Sequence, residues 1–247
     1  MTLLVYDGTL DGFLTAIFHG FTLKGQCYDI VRETADESLL PGLFEQRQVE
    51  SDPALSDRVY TAVRNKLSTE TYNHVYRAWL SRQTGIELEI CRFLKLSFHH
   101  GRDISDMLQS PVVHRVVKTS QAVGGEAHRM LGLLRFHLQG GVYVADIRPD
   151  YEILPLITSH FVERFGSQPF VIRDRHYGQA LVHYREKSAI LPMKEFPPME
   201  EVGDGDVFEQ MWKHYYKALT IEERKNPRIM QQHMPKKYWK TILEKSS

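Results

Sequence analysis

A pair of adjacent glycines, Gly124 and Gly125, divides the sequence into two parts with different hydrophobic patterns. Before the pair, apolar residues recur mainly every three or four positions, the spacing that places side chains on one face of a helix. After it, short apolar runs alternate with turn residues, which is typical of strands and hairpins. The sequence therefore predicts an α+β fold with a mostly helical N-terminal half and a small antiparallel sheet after the glycine pair.

The N-terminal half is predicted to contain short strands as well as helices. The predicted strands are residues 2–6, 28–32 and 44–49. The predicted helices are residues 11–21, a helix carrying Leu55, Val59, Val63 and Leu67, and a longer stretch over 69–98. Because glycine weakens a helix, Gly85 is expected to divide that stretch. Residues 103–123 are expected to form one or two short helices interrupted at Pro111.

The second half is predicted to contain two hairpins with a helix crossing between them. Residues 129–138 and 142–147 flank a glycine-containing turn, and residues 169–173 and 179–184 form the second pair. The helix covers 151–165. We therefore expect a core domain over residues 1–190, a proline-rich and acidic linker over 191–206, and a basic helical C-terminal segment over 207–247 that packs on the core.

Bulk composition excludes several classes of protein. Lys+Arg and Asp+Glu number 31 each, so the whole chain has no general attraction for polyanions. The two cysteines, Cys27 and Cys91, form neither a disulfide framework nor a metal-binding spacing, which favours a reducing compartment. The first residues lack the features of a signal or transit peptide, and no apolar run is long enough to span a bilayer. We therefore expect a cytoplasmic protein without membrane contact.

The C-terminal segment is the strongest candidate for nucleic-acid contact. From Trp212 onwards it carries nine basic and three acidic residues, with aromatic residues between them. Cations neutralise phosphates and rings stack on bases. The candidate nucleic-acid-binding residues are Arg224, Arg228, Lys236, Lys237, Tyr238, Trp239 and Lys240. The alternative is that the rings belong to a core and that the basic face is merely solvated.

This segment is expected to consist of short helices with fixed corners. Residues 220–223 form a capping box, in which a threonine and a glutamate satisfy free amides at a helix start. Pro227 ends that helix, and Pro235 suits the first position of another.

Histidines and acids recur in the middle third of the chain. His128, His160 and Asp174 are weak candidates for a catalytic centre, should the predicted hairpins bring them together. No spacing among them demands a metal ion, so no metal site is predicted. Isolated histidines are more often hydrogen-bonded parts of the structure than catalytic groups.

Four arginines lie in segments that are predicted to be partly buried: Arg129, Arg135, Arg164 and Arg173. The planar guanidinium fork suits bidentate bonds to a carboxylate or a phosphate. Two interpretations remain open for this set. One is phosphate binding, and the other, slightly favoured, is an internal salt-bridge network that uses Glu126, Glu163 and Asp174.

Several kinds of site are absent from the sequence. There is no P-loop, no dinucleotide-binding glycine motif, no nucleophile elbow and no zinc deaminase signature, so no cofactor is predicted. The opening residues resemble the haloacid-dehalogenase phosphatase motif, but Val5 stands where that motif needs its nucleophilic aspartate. Asp7 is therefore expected to form a turn or cap the following helix.

Several longer segments resemble a known bacterial family. They are Tyr6-Asp7-Gly8-Thr9, Asp11-Gly12-Phe13-Leu14-Thr15-Ala16, Glu126-Ala127-His128-Arg129, Gly132, Arg135-Phe136, His160-Phe161, Arg164, Ile172-Arg173-Asp174, residues 221–228 and residues 234–240. Together they resemble the family catalogued as "probable DNA metabolism proteins", domain of unknown function 4130. The resemblance implies a role in DNA metabolism or repair, beside a radical-SAM protein encoded nearby. Some members are fused to a domain like uracil-DNA glycosylase. The resemblance implies no catalytic residue.

The sequence leads to one functional hypothesis with two alternatives. The first is a DNA-metabolism or repair accessory protein that binds nucleic acid and works with a radical-SAM partner. The alternatives are a hydrolase (a nuclease or glycosylase-like enzyme) with a His/Asp centre, and a protein–protein adaptor without DNA contact. Whether the chain is an enzyme stays open at this point.

Overall fold

A computed structural model describes residues 2–23, 28–33, 45–185 and 187–195. They form two compact units, which divide between Val123 and Gly124. The division falls at the glycine pair where the hydrophobic pattern changes. Within the described ranges, no helix is both long and apolar enough to cross a bilayer.

The first unit contains a parallel sheet and a set of helices. Its elements in chain order are β1 (Thr2–Tyr6), α1 (Leu10–Thr22), β2 (Tyr28–Arg32), β3 (Glu45–Val49), α2 (Pro53–Lys66), α3 (Thr69–Leu80) and α4 (Ile86–His100). Helix α5 (Pro111–Leu133) begins in the first unit and ends in the second. The sheet has the order β2-β1-β3, and both strand pairs are parallel.

The helices of the first unit begin at polar caps. Thr9 accepts a hydrogen bond from the Gly12 amide at the start of α1, and Asp52 accepts from the amides at the start of α2. Ser68 does the same for α3. Such caps satisfy amides that the first helical turn leaves unpaired. Leu4 and the α1 residue Phe13 are completely buried in the core of this unit.

The predicted division of the long helical stretch is confirmed. Helix α3 ends at Leu80 and α4 begins at Ile86, directly after Gly85, whose φ is +74°. Glycine adopts this left-handed conformation without the steric cost of a side chain.

The region from 103 to 138 differs from the prediction. Pro111 begins α5 instead of interrupting it, since a proline at the first helical position loses no hydrogen bond. The helix then continues through Gly124-Gly125 to Leu133, and β4 begins only at His137, so the strand predicted over 129–138 is wrong for residues 129–136. A helical glycine costs only about 1 kcal/mol relative to alanine, which burial of a helix face can outweigh.

The second unit contains a five-stranded sheet. Its further elements are β4 (His137–Gln139), β5 (Val142–Ile147), α6 (Leu154–Phe165), β6 (Phe170–Asp174), β7 (Gln179–Tyr184), β8 (Lys187–Pro192) and a 3₁₀ turn (Met193–Glu195). The strand order is β4-β5-β6-β7-β8. Both predicted hairpins exist, as β4–β5 and β6–β7.

The predicted small antiparallel sheet needs two corrections. The sheet of the second unit is mixed, because α6 crosses between β5 and β6 and returns the chain in the same direction, which makes that pair parallel. The fold also includes the parallel sheet of the first unit. The mixed α/β character itself is confirmed, as is the helical predominance before the glycine pair.

Aromatic residues pack α6 against one face of the five-stranded sheet. The rings of Phe165 and Phe170 lie 4.9 Å apart, and Phe136 contacts both Phe161 and Phe165. Val171 and Val182, which point to the other face, belong to a second buried cluster with Ala180 and Leu191. Strand β6 therefore has buried contacts on both faces of the sheet.

The predicted division into a 1–190 core, a 191–206 linker and a 207–247 segment stays a prediction. Most of the linker and the whole C-terminal segment lie outside the described residues. The first residues of the predicted linker belong instead to β8 and the 3₁₀ turn.

Candidate nucleic-acid interface

The carboxyl ends of β5 and β6 meet at one edge of the five-stranded sheet, because the two strands are parallel. Ligands commonly bind outside the carboxyl ends of parallel strands. Residues 148–153 follow β5 at this edge, and a tight turn over 175–178 follows β6. The Arg175 amide donates to the Ile147 carbonyl (2.9 Å), so the two connections run side by side.

Asp174 builds the turn. Its Oδ1 accepts hydrogen bonds from the amides of His176 (2.9 Å) and Tyr177 (3.0 Å). An aspartate that accepts from amides two and three residues ahead mimics a backbone turn. Gly178 closes the turn at a φ of +65°. The residues between Asp174 and Gly178 are therefore held in one conformation.

One carboxylate at this edge holds two arginines. Asp146 Oδ1 and Oδ2 accept from Arg173 Nε (2.8 Å) and NH2 (2.7 Å), and Oδ1 also accepts from Arg175 Nε (2.8 Å). Burial alone raises the pKa of Asp146, but the hydrogen bonds from both arginines outweigh it and lower that pKa. The carboxyl therefore stays ionised at neutral pH, and the three side chains together carry one positive charge.

Arg175 is the outward-facing cation of this cluster. Its side chain is 39% exposed, against 18% for Arg173. Its two terminal nitrogens make no hydrogen bond with any described residue. A guanidinium that is fixed through Nε and has its two terminal nitrogens available can bind an anionic partner, because its orientation is set before binding.

The next two residues form a pair of stacked rings. The rings of His176 and Tyr177 lie 4.5 Å apart with an interplanar angle of 23°. His176 Nδ1 lies 2.6 Å from the Pro149 carbonyl oxygen, and the Tyr177 hydroxyl donates to the Asp150 carbonyl (2.8 Å). Since a carbonyl oxygen only accepts, Nδ1 carries a proton. His176 is exposed and Tyr177 is half-buried.

Two buried carboxylates, Glu126 and Glu152, fix the connection after β5 through hydrogen bonds. Glu126 of α5 accepts from the amides of Asp150 (2.9 Å) and Tyr151 (3.0 Å). Glu152 accepts from the Gln179 side chain (2.9 Å). The connection is therefore anchored to α5 and to β7, and the carbonyls that position the two rings belong to this anchored segment.

The three weak catalytic candidates are in different environments. Asp174 is fully buried and binds backbone amides through Oδ1, and its Oδ2 is buried without a hydrogen-bond partner. Burial raises the pKa of this carboxyl. His128 on α5 and His160 on α6 are exposed, and no contact joins them to Asp174. Across the described ranges, no three His, Cys, Asp or Glu side chains are placed to hold a metal ion.

The four predicted arginines do not form one cluster. Arg173 belongs to the Asp146 cluster, whereas Arg129 and Arg164 are exposed on α5 and α6. Arg135 follows α5 and donates to the carbonyls of Gly132 and Leu134. Two of the carboxylates named for an internal network, Glu126 and Asp174, accept from backbone amides. The predicted nucleic-acid-binding residues of the C-terminal segment (Arg224, Arg228, Lys236, Lys237, Tyr238, Trp239 and Lys240) lie outside the described residues.

Sequence reasoning assigned no role to Tyr177 and did not predict that Asp146 pairs with Arg173 and Arg175. The available signal was the pair of arginines two positions apart at a strand end, with an aspartate near the end of the preceding strand. Only the register, which pairs Asp146 with Arg173, shows that these charges meet.

The sheet of the first unit has a comparable edge. In the order β2-β1-β3, the strands that follow β1 lie on its two opposite sides, and such a reversal of strand order is a frequent ligand site. Here Asp7 Oδ1 accepts from the Thr9 amide (3.0 Å) and hydroxyl (2.6 Å), and its Oδ2 accepts from the Ser51 hydroxyl (2.8 Å). Of the two roles expected for Asp7, turn former or helix cap, it therefore has the first, and Thr9 caps α1.

The family model described as domain of unknown function 4130 matches residues 84–244 of the chain. The match spans well over half of the chain and includes the Asp146 cluster, the ring pair and most of the C-terminal segment. It leaves out the resemblance noted at residues 6–16. No curated protein matches the chain significantly.

Proposed function

The chain belongs to the domain of unknown function 4130 family, and we propose that it is an accessory protein of DNA metabolism that binds nucleic acid and works with a radical-SAM partner. One observation carries the proposal of nucleic-acid binding. Asp146 fixes Arg173 and Arg175 side by side at a rigid sheet edge, directly next to the His176–Tyr177 ring pair. Fixed guanidinium groups suit phosphates, and ring faces suit bases.

The charge distribution of the sequence supports the same function. The C-terminal segment carries nine basic and three acidic residues from Trp212 onwards. A phosphate backbone gains binding free energy by releasing counterions to such residues. In the proposed function, the protein therefore contacts nucleic acid both through the sheet edge and through the C-terminal lysines. The radical-SAM partner follows from the family resemblance alone.

The decisive measurement is DNA affinity across a series of salt concentrations. We expect a fluorescein-labelled oligonucleotide to bind with an affinity that falls steeply as salt rises. Arg175→Ala should weaken binding and reduce the salt slope by about 0.7 to 0.9, since one phosphate contact is lost. The triple change Lys236/Lys237/Lys240→Ala should reduce the slope further.

Arg102→Ala is the matched control for Arg175→Ala. Arg102 is an exposed arginine of the first unit that pairs with Asp106 (3.1 Å), so its removal changes the net charge equally. Equal effects of both variants, or a binding curve that does not depend on salt, would contradict the proposal. No contact within the described ranges favours the hydrolase or the adaptor over nucleic-acid binding.

A further inference from the structure

The turn after β6 places three consecutive side chains in a row along the end of β5 and the connection that follows it. Arg175 bonds to Asp146, His176 to Pro149 and Tyr177 to Asp150, at 2.8, 2.6 and 2.8 Å. Every anchor uses only part of the side chain. The anchors leave the terminal guanidinium nitrogens and one face of the imidazole unused, and both residues are exposed.

The half-buried Tyr177 supports the exposed His176 from one side. Stacked rings that are each held by a hydrogen bond to a fixed carbonyl have lost their rotational freedom already, so a second aromatic partner pays little to order them. Protein rings of this kind stack on nucleobases, because every base has an accessible π-face when it is unpaired.

On this basis we infer that the turn recognises unpaired nucleotides: Arg175 contacts a backbone phosphate while the outer face of His176 stacks on the adjacent base. The inference rests on the proposed function and specifies its substrate class. In a continuous duplex both faces of each base are covered by its neighbours, so a duplex offers Arg175 a phosphate but offers His176 no base face. An acidic protein segment would likewise engage only Arg175.

The test compares three labelled ligands of equal phosphate number. They are a single-stranded oligonucleotide, the same sequence as a blunt duplex, and an oligomer in which the bases are replaced by abasic residues. We expect the single strand to bind more tightly than the other two at one salt concentration. His176→Ala should weaken single-strand binding about 5-fold to 150-fold, which is the usual effect of removing a stacking ring, and should leave abasic binding unchanged.

Two further variants separate stacking from loss of structure. His176→Phe keeps a ring face without the bond to Pro149 and should recover most of the affinity that His176→Ala loses. His137→Ala removes another exposed histidine, on β4, and should change none of the three affinities. Thermal unfolding of each variant checks that the fold is retained.

The outcomes distinguish the inference from the proposed function. If no ligand binds in a salt-dependent manner, the proposed function fails. If all three ligands bind equally and His176→Ala has no effect, nucleic-acid binding stands but recognition of unpaired bases is wrong. Displacement of the single strand by poly-glutamate at equal charge, with no effect of His176→Ala, would assign the surface to an acidic protein partner instead.

Discussion

The parallel strands of the first unit end beside Asp7 and Ser51, and the parallel pair of the second unit ends beside Asp146 and the turn that carries Arg175. At the first edge, the carboxylate and the hydroxyls bond to one another and to a helix start. At the second, one carboxylate orients two arginines and leaves Arg175 open at its end. The same position in a parallel sheet thus serves local structure in one unit and presents a cation in the other.

The difference lies in the side chains and not in the backbone. The first edge gathers the acids Asp7, Asp11 and Asp52, each of which accepts from a hydroxyl or amide nearby. Phosphate would meet negative charge there. Topology therefore indicates where a ligand could bind, but charge and free hydrogen-bonding capacity decide which of the two edges can bind an anion.

The charged pair inside the first unit should be the most sensitive point of the molecule. Arg32 and Glu87 lie 3.7 Å apart with side chains only 11% and 9% exposed, and the Tyr6 hydroxyl donates to Glu87. Glu87→Ala leaves the Arg32 charge buried without a carboxylate, so we expect the free energy of unfolding to fall by about 3–5 kcal/mol. Urea unfolding measures the loss.

Asp146→Ala is the matched change in the second unit. Its carboxylate also pairs with arginine, but the side chain is 41% exposed, and solvated ion pairs contribute about 1 kcal/mol or less. The loss in free energy of unfolding for Glu87→Gln should lie between those of Glu87→Ala and Asp146→Ala, because the amide oxygen can still accept a hydrogen bond from Tyr6. A loss for Asp146→Ala as large as that for Glu87→Ala would contradict the view that the exposed Asp146 cluster contributes less to stability than the buried Arg32–Glu87 pair.

Two glycines test how tightly each unit is packed. A β-carbon added to Gly12 in α1 would overlap Asp7 Oδ1 and lie 2.9 Å from Ser51 Oγ. Gly12→Ala should therefore destabilise the protein by about 1–3 kcal/mol, the usual cost of overpacking. The gain in helix propensity offsets only part of that cost.

Gly125→Ala provides the opposite case in α5. Its β-carbon would meet only the end of the Arg129 side chain, at an ordinary 3.5 Å. We expect stabilisation by about 0.5–1 kcal/mol, because glycine costs that much in a helix interior. Thermal unfolding of the two variants side by side gives the comparison, and a stabilised Gly12→Ala would show that the first edge is loosely packed.

Gly125 also shows what the sequence could and could not predict. Apolar spacing was sufficient to predict α1, and Gly85 was sufficient to predict the division of α3 from α4, since both depend on nearby residues. The continuation of α5 through Gly124-Gly125 was not predictable in this way, because a modest local preference was overruled by burial along the helix. Strand β8 was missed because Pro192 lies at its end, although an edge strand tolerates proline there.

The candidate interface was predictable in part. The segment around Arg173 stood out for its arginines, but its partner is Asp146, which lies 27 residues earlier in the chain. That contact exists because α6 brings β6 back parallel to β5. Long-range strand pairing of this kind cannot be predicted from the local composition of either strand. The same holds for the ring pair, whose rigidity depends on carbonyls of the preceding connection.

The smallest expected effect concerns acid titration in the two units. Burial alone raises the pKa of Asp103, but hydrogen bonds from Ser105 and Ser68 outweigh it and hold that pKa at about 2. A lowered carboxyl pKa stabilises the fold above the unfolded value near 4, and that contribution disappears as the pH falls through the folded value. Because the group is only partly buried and solvent screens its interactions, we expect a contribution of at most about 0.5 kcal/mol.

Salt distinguishes Asp103 from Asp146, whose pKa is lowered mainly by arginines. Neutral hydroxyls lower the pKa of Asp103, so raising salt from about 0.05 to 1 M should leave its titration midpoint unchanged. Exposed charges are screened, so the pKa of Asp146 should rise towards its ordinary value. Carboxyl chemical shifts in NMR follow both groups, with Asp103→Asn and Asp146→Asn to assign the signals. Equal salt shifts at the two positions would mean that the second edge does not depend on charge, and its role as an anion-binding surface would lose its physical basis.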